Sequence, residues 1–107
     1  VVVKMGAQGA MVLGGKTPFI MPAVPVDRVV DPTGAGDSFA AGMLGSLSGS
    51  GGELTLKNIA RAMCFGSVTA SFAIEGFGVD GLRGIDYEAV SRRLSFYLST
   101  NQLDRIE

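Results

Sequence analysis

The residues best suited to chemistry lie in the stretch 31–39, where an aspartate follows a run of small residues. Gly34, Ala35 and Gly36 let an anion approach the backbone closely, and N–H groups at a helix start point outward at its positive end. The run therefore predicts an anion site. Asp37 would oppose a bound phosphate unless it accepts the proton of a hydroxyl that attacks phosphorus. Simple N-capping by Asp37 is the alternative, and it is the commoner role of Asp in such turns.

The flanking residues predict the elements that position this turn. A β-branched run at 26–30 indicates a strand, and Pro32 keeps Asp31 out of helical geometry. Asp37 and Ser38 lie at or next to the cap of a helix. Apolar residues then follow at helical spacing on one side, namely Phe39, Met43, Leu44 and Leu47.

The string DPTGAGDSF at 31–39 closely resembles the second signature of the ribokinase-like, or PfkB, carbohydrate kinases. That signature reads Asp-x-x-Gly-Ala-Gly-Asp, followed by a small hydroxyl residue and an aromatic residue. The resemblance implies that Asp37 is the catalytic base. It also implies that Gly34, Ala35 and Gly36 form the anion hole for the γ-phosphate of ATP.

The same resemblance implies an α/β fold, the C-terminal part of a three-layer α/β/α ribokinase-like fold with a largely parallel sheet flanked by helices. Residues 1–107 would be the C-terminal nucleotide-binding and catalytic part of the kinase domain. Val1 opens a buried-type strand with no initiator Met, which leads us to expect a fragment of a larger enzyme. In the resembled family the sugar-binding lid and the magnesium-organising segment lie upstream, and a homodimer would form through that lid.

A second similarity lies about 30 residues before the glycine turn. Lys4, Gly6 and Gly9 resemble the family's ATP-proximal loop, in which a strand ends in a motif of the type x-x-Gly-x-x-Gly. With Gly36, these residues are the implied contacts to ATP. From the residues alone two alternatives stay open, since two glycines three apart occur in many hairpins and a lysine at a strand end is usually solvated.

The helix after position 55 flanks the adenine in the resembled family, so Cys64 and Ser67 are candidates for that wall. The family often has Asn on this helix, and no Asn occupies the matching place here. A core position is the alternative for Cys64, because its neighbours on the helical pattern are apolar.

A monovalent cation site is also implied by the resemblance. Many ribokinase-like enzymes bind potassium through backbone carbonyls and an aspartate, which here would be Asp31 and Thr33 with carbonyls near 71–76. Asp31 could instead only hold the turn.

Composition excludes several other classes. The net charge of −1 and the absence of a Lys/Arg cluster argue against nucleic-acid binding, and the absence of His excludes Ser-His-Asp chemistry and His-ligated zinc. No apolar run reaches the roughly 18 residues of a membrane span, so we expect no membrane partner. The single cysteine, Cys64, excludes an intramolecular disulfide and fits a reduced, cytoplasmic protein.

The remaining patterns predict supporting elements. Two short apolar runs at 1–5 and 10–13 predict a hairpin, the proline-rich 16–25 an edge strand or extended crossing segment, and 46–53 a flexible loop. Thr55 and Asp86 are expected to cap two further helices. On the last of these helices, Arg92 and Arg93 are expected to face water.

The function that follows is ATP-dependent phosphotransfer to a hydroxyl of a sugar or nucleoside, with Mg²⁺ and with K⁺ as an additional cation. The isolated chain is expected to be inactive, because the lid and the magnesium segment lie upstream. One alternative is a nucleotide- or phosphate-binding module without catalysis, or a folded remnant of such an enzyme. A dinucleotide-binding oxidoreductase half is a third possibility, with the poorest motif support because the pattern Gly-x-Gly-x-x-Gly fails at its third glycine.

Overall fold

A hairpin opens the chain in the computed structural model, which describes residues 1–16 and 18–101. β1 (Val2–Lys4) pairs antiparallel with β2 (Ala10–Val12), with Val2 opposite Val12 and Lys4 opposite Ala10. A short 3-10 helix, Gly6–Gln8, forms the connection. The predicted strand, turn and strand are therefore confirmed.

The described sheet has three strands in the order β1-β2-β3. β3 (Phe19–Met21) pairs antiparallel with β2 and lies at the edge, as the proline-rich segment predicts. The expected largely parallel sheet is not confirmed for the described residues, because both strand pairs there are antiparallel. Connections as short as these favour antiparallel pairing, whereas a parallel pair needs a crossover of about a dozen residues or more.

The strand expected at 26–30 is wrong, since the described backbone there is irregular. The amide of Val30 donates instead to the carbonyl oxygen of Ile74, at 2.8 Å. The β-branched residues of this run raise strand propensity, but a strand also needs a neighbouring strand for its hydrogen bonds, and this run has none among the described elements.

α1 (Ala35–Gly49) begins directly after the glycine turn. Its N-cap, Gly34, has a φ of +83°, a left-handed conformation that glycine adopts without steric cost. The helix continues to Gly49, so the loop expected at 46–53 is shorter than predicted. Phe39 is buried, whereas Leu44 is exposed and does not join the apolar side expected for it.

α2 (Leu56–Ala73) and α3 (Tyr87–Thr100) begin where the sequence predicts. The hydroxyl of Thr55 accepts the Asn58 N–H at 3.1 Å, and the carboxylate of Asp86 accepts the Ala89 N–H at 2.8 Å. Both side chains satisfy a backbone donor that the first helical turn leaves unpaired.

The core lies between the inner face of the sheet and the helices. Its fully buried side chains include Met21, Met63, Val68 and Tyr97. α1 packs closely on α2 at Gly66, where an added Cβ would lie 2.7 Å from the carbonyl oxygen of Phe39. Among the described residues, no helix is both long enough and apolar enough to span a membrane.

Candidate active site

The turn that precedes α1 is fixed by hydrogen bonds at both of its ends. The carbonyl oxygen of Ile74 accepts the amides of Val30 and Asp31, at 2.8 and 3.2 Å. Within the turn, the Asp31 carboxylate accepts the Thr33 N–H at 3.0 Å. This hydrogen bond lowers the pKa of the Asp31 carboxyl below its usual value, because it favours the ionised form.

The amides of the turn differ in their availability. The N–H of Ala35 donates to the carbonyl oxygen of Pro32 at 3.2 Å and so has an internal acceptor. In the described part of the chain, the N–H groups of Gly34 and Gly36 have no such acceptor outside the helix. Two of the three amides expected in the anion hole are thus free to meet a ligand, whereas the amide of Ala35 closes the turn.

Asp37 is the third residue of α1, and its side chain is exposed. Gly34 occupies the N-cap position, and no side-chain hydrogen bond caps the helix. Within the described residues, the carboxylate of Asp37 is in no hydrogen bond and no ion pair, so capping does not account for it. The carboxylate lies near the positive end of the helix dipole, and without a partner it can accept a proton.

Lys4 reaches the turn from the end of β1. Its Nζ atom lies 2.8 Å from the point that a Cβ on Gly36 would occupy. The positive ammonium therefore lies against Gly36, whose amide has no acceptor among the backbone hydrogen bonds of the turn. This arrangement suits a phosphate, which accepts hydrogen bonds from both kinds of donor.

A cavity of about 590 Å³ lies beside the turn, and Ala35 and Gly36 line it, whereas Gly34 and Asp37 do not. It is lined by five of the six residues expected to contact the nucleotide, namely Lys4, Gly6, Gly9, Gly36 and Ser67. Further lining residues include Val24, Val26, Phe39, Ala70, Ser71 and Ile74, none of which was expected from the sequence to contact the nucleotide. Most of them are apolar, and although Phe39 belongs to the 31–39 signature, only the fold shows that they share one cavity.

Gly9 has a structural role as well as a place in the cavity wall. Its φ is +97°, and an added Cβ would lie 2.0 Å from the carbonyl oxygen of Met21. No side chain fits there without moving the backbone of β3. The packing of the loop on β3 therefore suffices to explain a glycine at this position.

Cys64, the sixth residue, does not line this cavity, and the structure places it in the core instead. The side chain is 1% exposed, and its thiol donates to the sulfur of Met21 at 3.6 Å. Burial raises the pKa of the Cys64 thiol to about 12. Although Cys64 and Ser67 share α2, they point in different directions, and Ser67 alone faces the cavity.

Two further expectations concern cations. Asp31 lies beside the segment that was expected to supply carbonyl ligands, since its amide donates to Ile74. In the described ranges 1–16 and 18–101, no group of three or more acidic or cysteine side chains is arranged to hold a metal ion. Mg²⁺ is often held by one or two carboxylates together with phosphates, and a monovalent cation can be held by backbone carbonyls, so neither requires such a group.

One functional candidate was missed in the sequence. Arg93 was expected to face water, but its side chain is 27% exposed and forms an ion pair with Glu75. The helical spacing could have predicted this position. Arg93 lies three residues after Val90 and four before Tyr97, and therefore on the apolar side of α3.

A comparison with protein families gives a match between residues 1–82 and the family described as pfkB family carbohydrate kinase. The chain belongs to the pfkB family of carbohydrate kinases. The matched range contains the hairpin, the glycine turn and all of α2, and therefore every residue of the candidate site.

Two curated relatives of this pfkB-family chain are a riboside kinase and a nucleoside kinase. The aminoimidazole riboside kinase of Salmonella typhimurium is 32% identical over 95 residues, which are 89% of this chain and 26% of the relative. The nucleoside kinase of Methanocaldococcus jannaschii is 30% identical over 77 residues, 72% of this chain and 24% of the relative. The chain thus spans about a quarter of the length of these relatives.

Solved structures confirm a ribokinase-like arrangement of the covered part. Aminoimidazole riboside kinase from Salmonella enterica, complexed with its riboside and an ATP analog, superposes with a TM-score of 0.74 at 28% identity. The fructokinase from Vibrio cholerae, bound to fructose, ADP and calcium, gives 0.73 at 28% identity. Each match covers 87% of this chain and 30% of the solved chain.

Proposed function

We propose that this chain supplies the catalytic base, the anion hole and part of the ATP site of a longer kinase that phosphorylates a hydroxyl of a sugar or nucleoside. The observation that carries the proposal is the exposed, unpaired carboxylate of Asp37 next to the free amides of Gly34 and Gly36. The names of the relatives support the same class of reaction, since they are kinases of nucleosides and sugars.

In the proposed reaction, the substrate hydroxyl attacks the γ-phosphorus of ATP while the carboxylate of Asp37 accepts its proton. A new P–O bond forms to the substrate, and the bond between the γ-phosphorus and the bridging oxygen breaks, with its electron pair leaving on ADP. The amides of Gly34 and Gly36 hold the charge on the transferred phosphoryl group. The ammonium of Lys4 attracts the phosphates to the same turn.

A cation partner is part of the proposal. Mg²⁺ neutralises phosphate charge in reactions of this class, and its protein ligands would come from outside the described residues. For K⁺, we propose the Asp31 carboxylate and nearby backbone carbonyls, in agreement with the position of Asp31 beside the 71–76 segment.

The test is Asp37→Asn in the intact kinase that contains this chain. We expect kcat to fall by several orders of magnitude while ATP binding persists. The side-chain amide of Asn has the shape of the carboxylate but cannot accept the proton of the substrate hydroxyl. Asp27→Asn is the matched control, since Asp27 is an exposed aspartate outside the cavity. An Asp37→Asn enzyme with even a tenth of the original turnover would rule Asp37 out as the base.

A phosphate-binding module without catalysis is the second candidate, because the cavity, Lys4 and the free amides all lie within this chain. Calorimetry of the 107-residue chain with a non-hydrolysable ATP analogue separates the candidates. Binding by the chain alone would favour the module, and the absence of binding would favour a remnant or a site completed by the rest of the enzyme.

A further inference from the structure

The guanidinium of Arg93, on α3, contacts the C-terminal end of α2 at three points. It lies 3.7 Å from the centre of the Phe72 ring, which is a cation–π distance. It donates to the hydroxyl of Ser71 at 3.0 Å and to the carboxylate of Glu75. The side chain of Arg93 therefore holds both the last turn of α2, at Ser71 and Phe72, and the residue Glu75 just after the helix.

The charge at this position suits the end of α2. The last turn of α2 contains no basic residue of its own, although a helix C-terminus carries partial negative charge. Arg93 supplies a positive charge there from α3. The side chains of Arg93 and Glu75 are 27% and 32% exposed, so water screens their attraction less than it screens a pair on the open surface.

The segment that Arg93 holds is also the segment that holds the glycine turn. Ile74 lies between Phe72 and Glu75, and its carbonyl oxygen accepts the amides of Val30 and Asp31. Ser71 and Ile74 line the same cavity as Gly36. Movement of the 71–75 segment would therefore move the entry to the turn that carries Asp37.

We propose that Arg93 is a positioning residue for the phosphate-binding turn. It fixes the 71–75 segment through Ser71, Phe72 and Glu75, and the Ile74 carbonyl then fixes the start of the turn. Arg93 does not contact Asp37, and its one contact with the cavity lining around Gly36 is the hydrogen bond to Ser71. Its catalytic consequence rests on the proposed kinase function, whereas its effect on the geometry of the turn does not.

The local test is amide hydrogen exchange at Val30 and Asp31 in the 107-residue chain. Arg93→Met keeps a long apolar stem and removes the charge and the hydrogen bonds. We expect exchange at both amides to accelerate about tenfold or more, with exchange in β2 unchanged, because only the local anchor opens. The proposal would be overturned if Arg93→Met left the exchange rates of both amides unchanged, or if neither amide were protected in the original protein.

Arg92→Met is the matched control, since Arg92 is the exposed neighbour and forms none of these contacts. It should leave exchange at Val30 and Asp31 at the original rate. Equal acceleration by both variants would contradict a specific role for Arg93.

A second variant keeps the test decisive if Arg93→Met fails to fold. Glu75→Gln weakens the pair but leaves the contacts with Ser71 and Phe72, so a smaller acceleration is expected. Where Arg93→Met does fold, a joint action of the two residues predicts that Glu75→Gln adds less in the Arg93→Met background than it does alone. Full additivity, or no effect of Glu75→Gln alone, counts against the proposed route.

Kinetics of the intact kinase separate this inference from the proposed function. Arg93→Met should lower kcat about tenfold with a much smaller change in the KM for ATP, because the base is misplaced while the nucleotide contacts remain. Faster exchange together with original kcat would overturn the catalytic role. If Asp37→Asn leaves turnover intact while exchange still responds to Arg93→Met, the proposed function fails and the structural inference stands.

Discussion

The ammonium of Lys4 and the backbone of Gly36 lie against each other, with Nζ 2.8 Å from the point where a side chain at position 36 would begin. These residues are separated by 32 positions in sequence, and the fold brings them together because β1 ends beside the start of α1. A positive side chain and a backbone amide without an internal acceptor therefore lie side by side, and both can donate hydrogen bonds to a phosphate.

Gly36→Ala should weaken binding of an ATP analogue to the intact kinase by about ten- to a hundredfold, the range of one hydrogen bond to a charged group. The new methyl group would displace the Lys4 ammonium and cover the amide. Stability should change little, because the displaced atoms are the flexible end of a side chain. Calorimetric titration and thermal unfolding measure the two effects.

Gly45→Ala is the control for this experiment, since Gly45 also lies in α1 and has open space around it. It should raise the free energy of unfolding by about 0.5–1 kcal/mol and leave nucleotide affinity as it was. Equal affinities for the Gly36→Ala and original proteins would contradict a ligand at the Gly36 amide.

Asp31→Asn separates the two roles of Asp31, which are the hydrogen bond that holds the turn and the proposed binding of K⁺. The amide oxygen can still accept the Thr33 N–H and hold the turn, but the negative charge is lost. We therefore expect the variant to keep its stability and to lose the stimulation of kinase activity by K⁺. Activity is compared in potassium and in choline salts, and an original enzyme that is indifferent to this exchange would disprove the proposed cation site.

The buried thiol of Cys64 predicts a stability loss in alkali. Burial raises the pKa of Cys64 from 9.0 to about 12, so between these values the unfolded chain releases a proton that the folded chain retains. Unfolding is then favoured as pH rises, and the contribution of Cys64 to stability is complete only below about 9.

Urea unfolding of the original chain and of Cys64→Ala tests this sign. From about pH 8 to about pH 11 the original chain should lose more of its free energy of unfolding than the variant does. Burial also raises the pKa of Tyr97, and a charge on Cys64 raises it further, so the difference between the two profiles includes the coupling of these two groups. Parallel pH profiles would show that Cys64 titrates alike in the folded and unfolded chains.

Local signals predicted the helices and the hairpin well. Thr55 and Asp86 each cap the helix that was assigned to them, since a cap depends on only a few neighbouring residues. The glycine turn and the exposed position of Asp37 likewise follow from adjacent residues. Of the six expected nucleotide contacts, five share one cavity.

The predictions are wrong where contacts between residues far apart in the sequence determine the structure. The run at 26–30 has strand propensity, but the Val30 amide pairs with Ile74 rather than with another strand. The charge of Arg93 predicts a side chain in water, but its position on the apolar side of α3 places it beside Glu75 instead. Its partner Glu75 lies 18 residues away, and a pair at that separation leaves no local pattern.

The close approach of α1 to α2 ties the candidate site to both helices. At Gly42 an added Cβ would meet the hydroxyl of Thr69 at 2.6 Å, and at Gly66 one would meet Phe39. Because Ile74 follows directly after α2, this single helix and its end anchor the turn on both sides. Residues 30–74 thus hold the turn and both helices in one continuous stretch, and a transplanted unit would also have to carry Lys4 and Arg93, which contact that stretch from outside it.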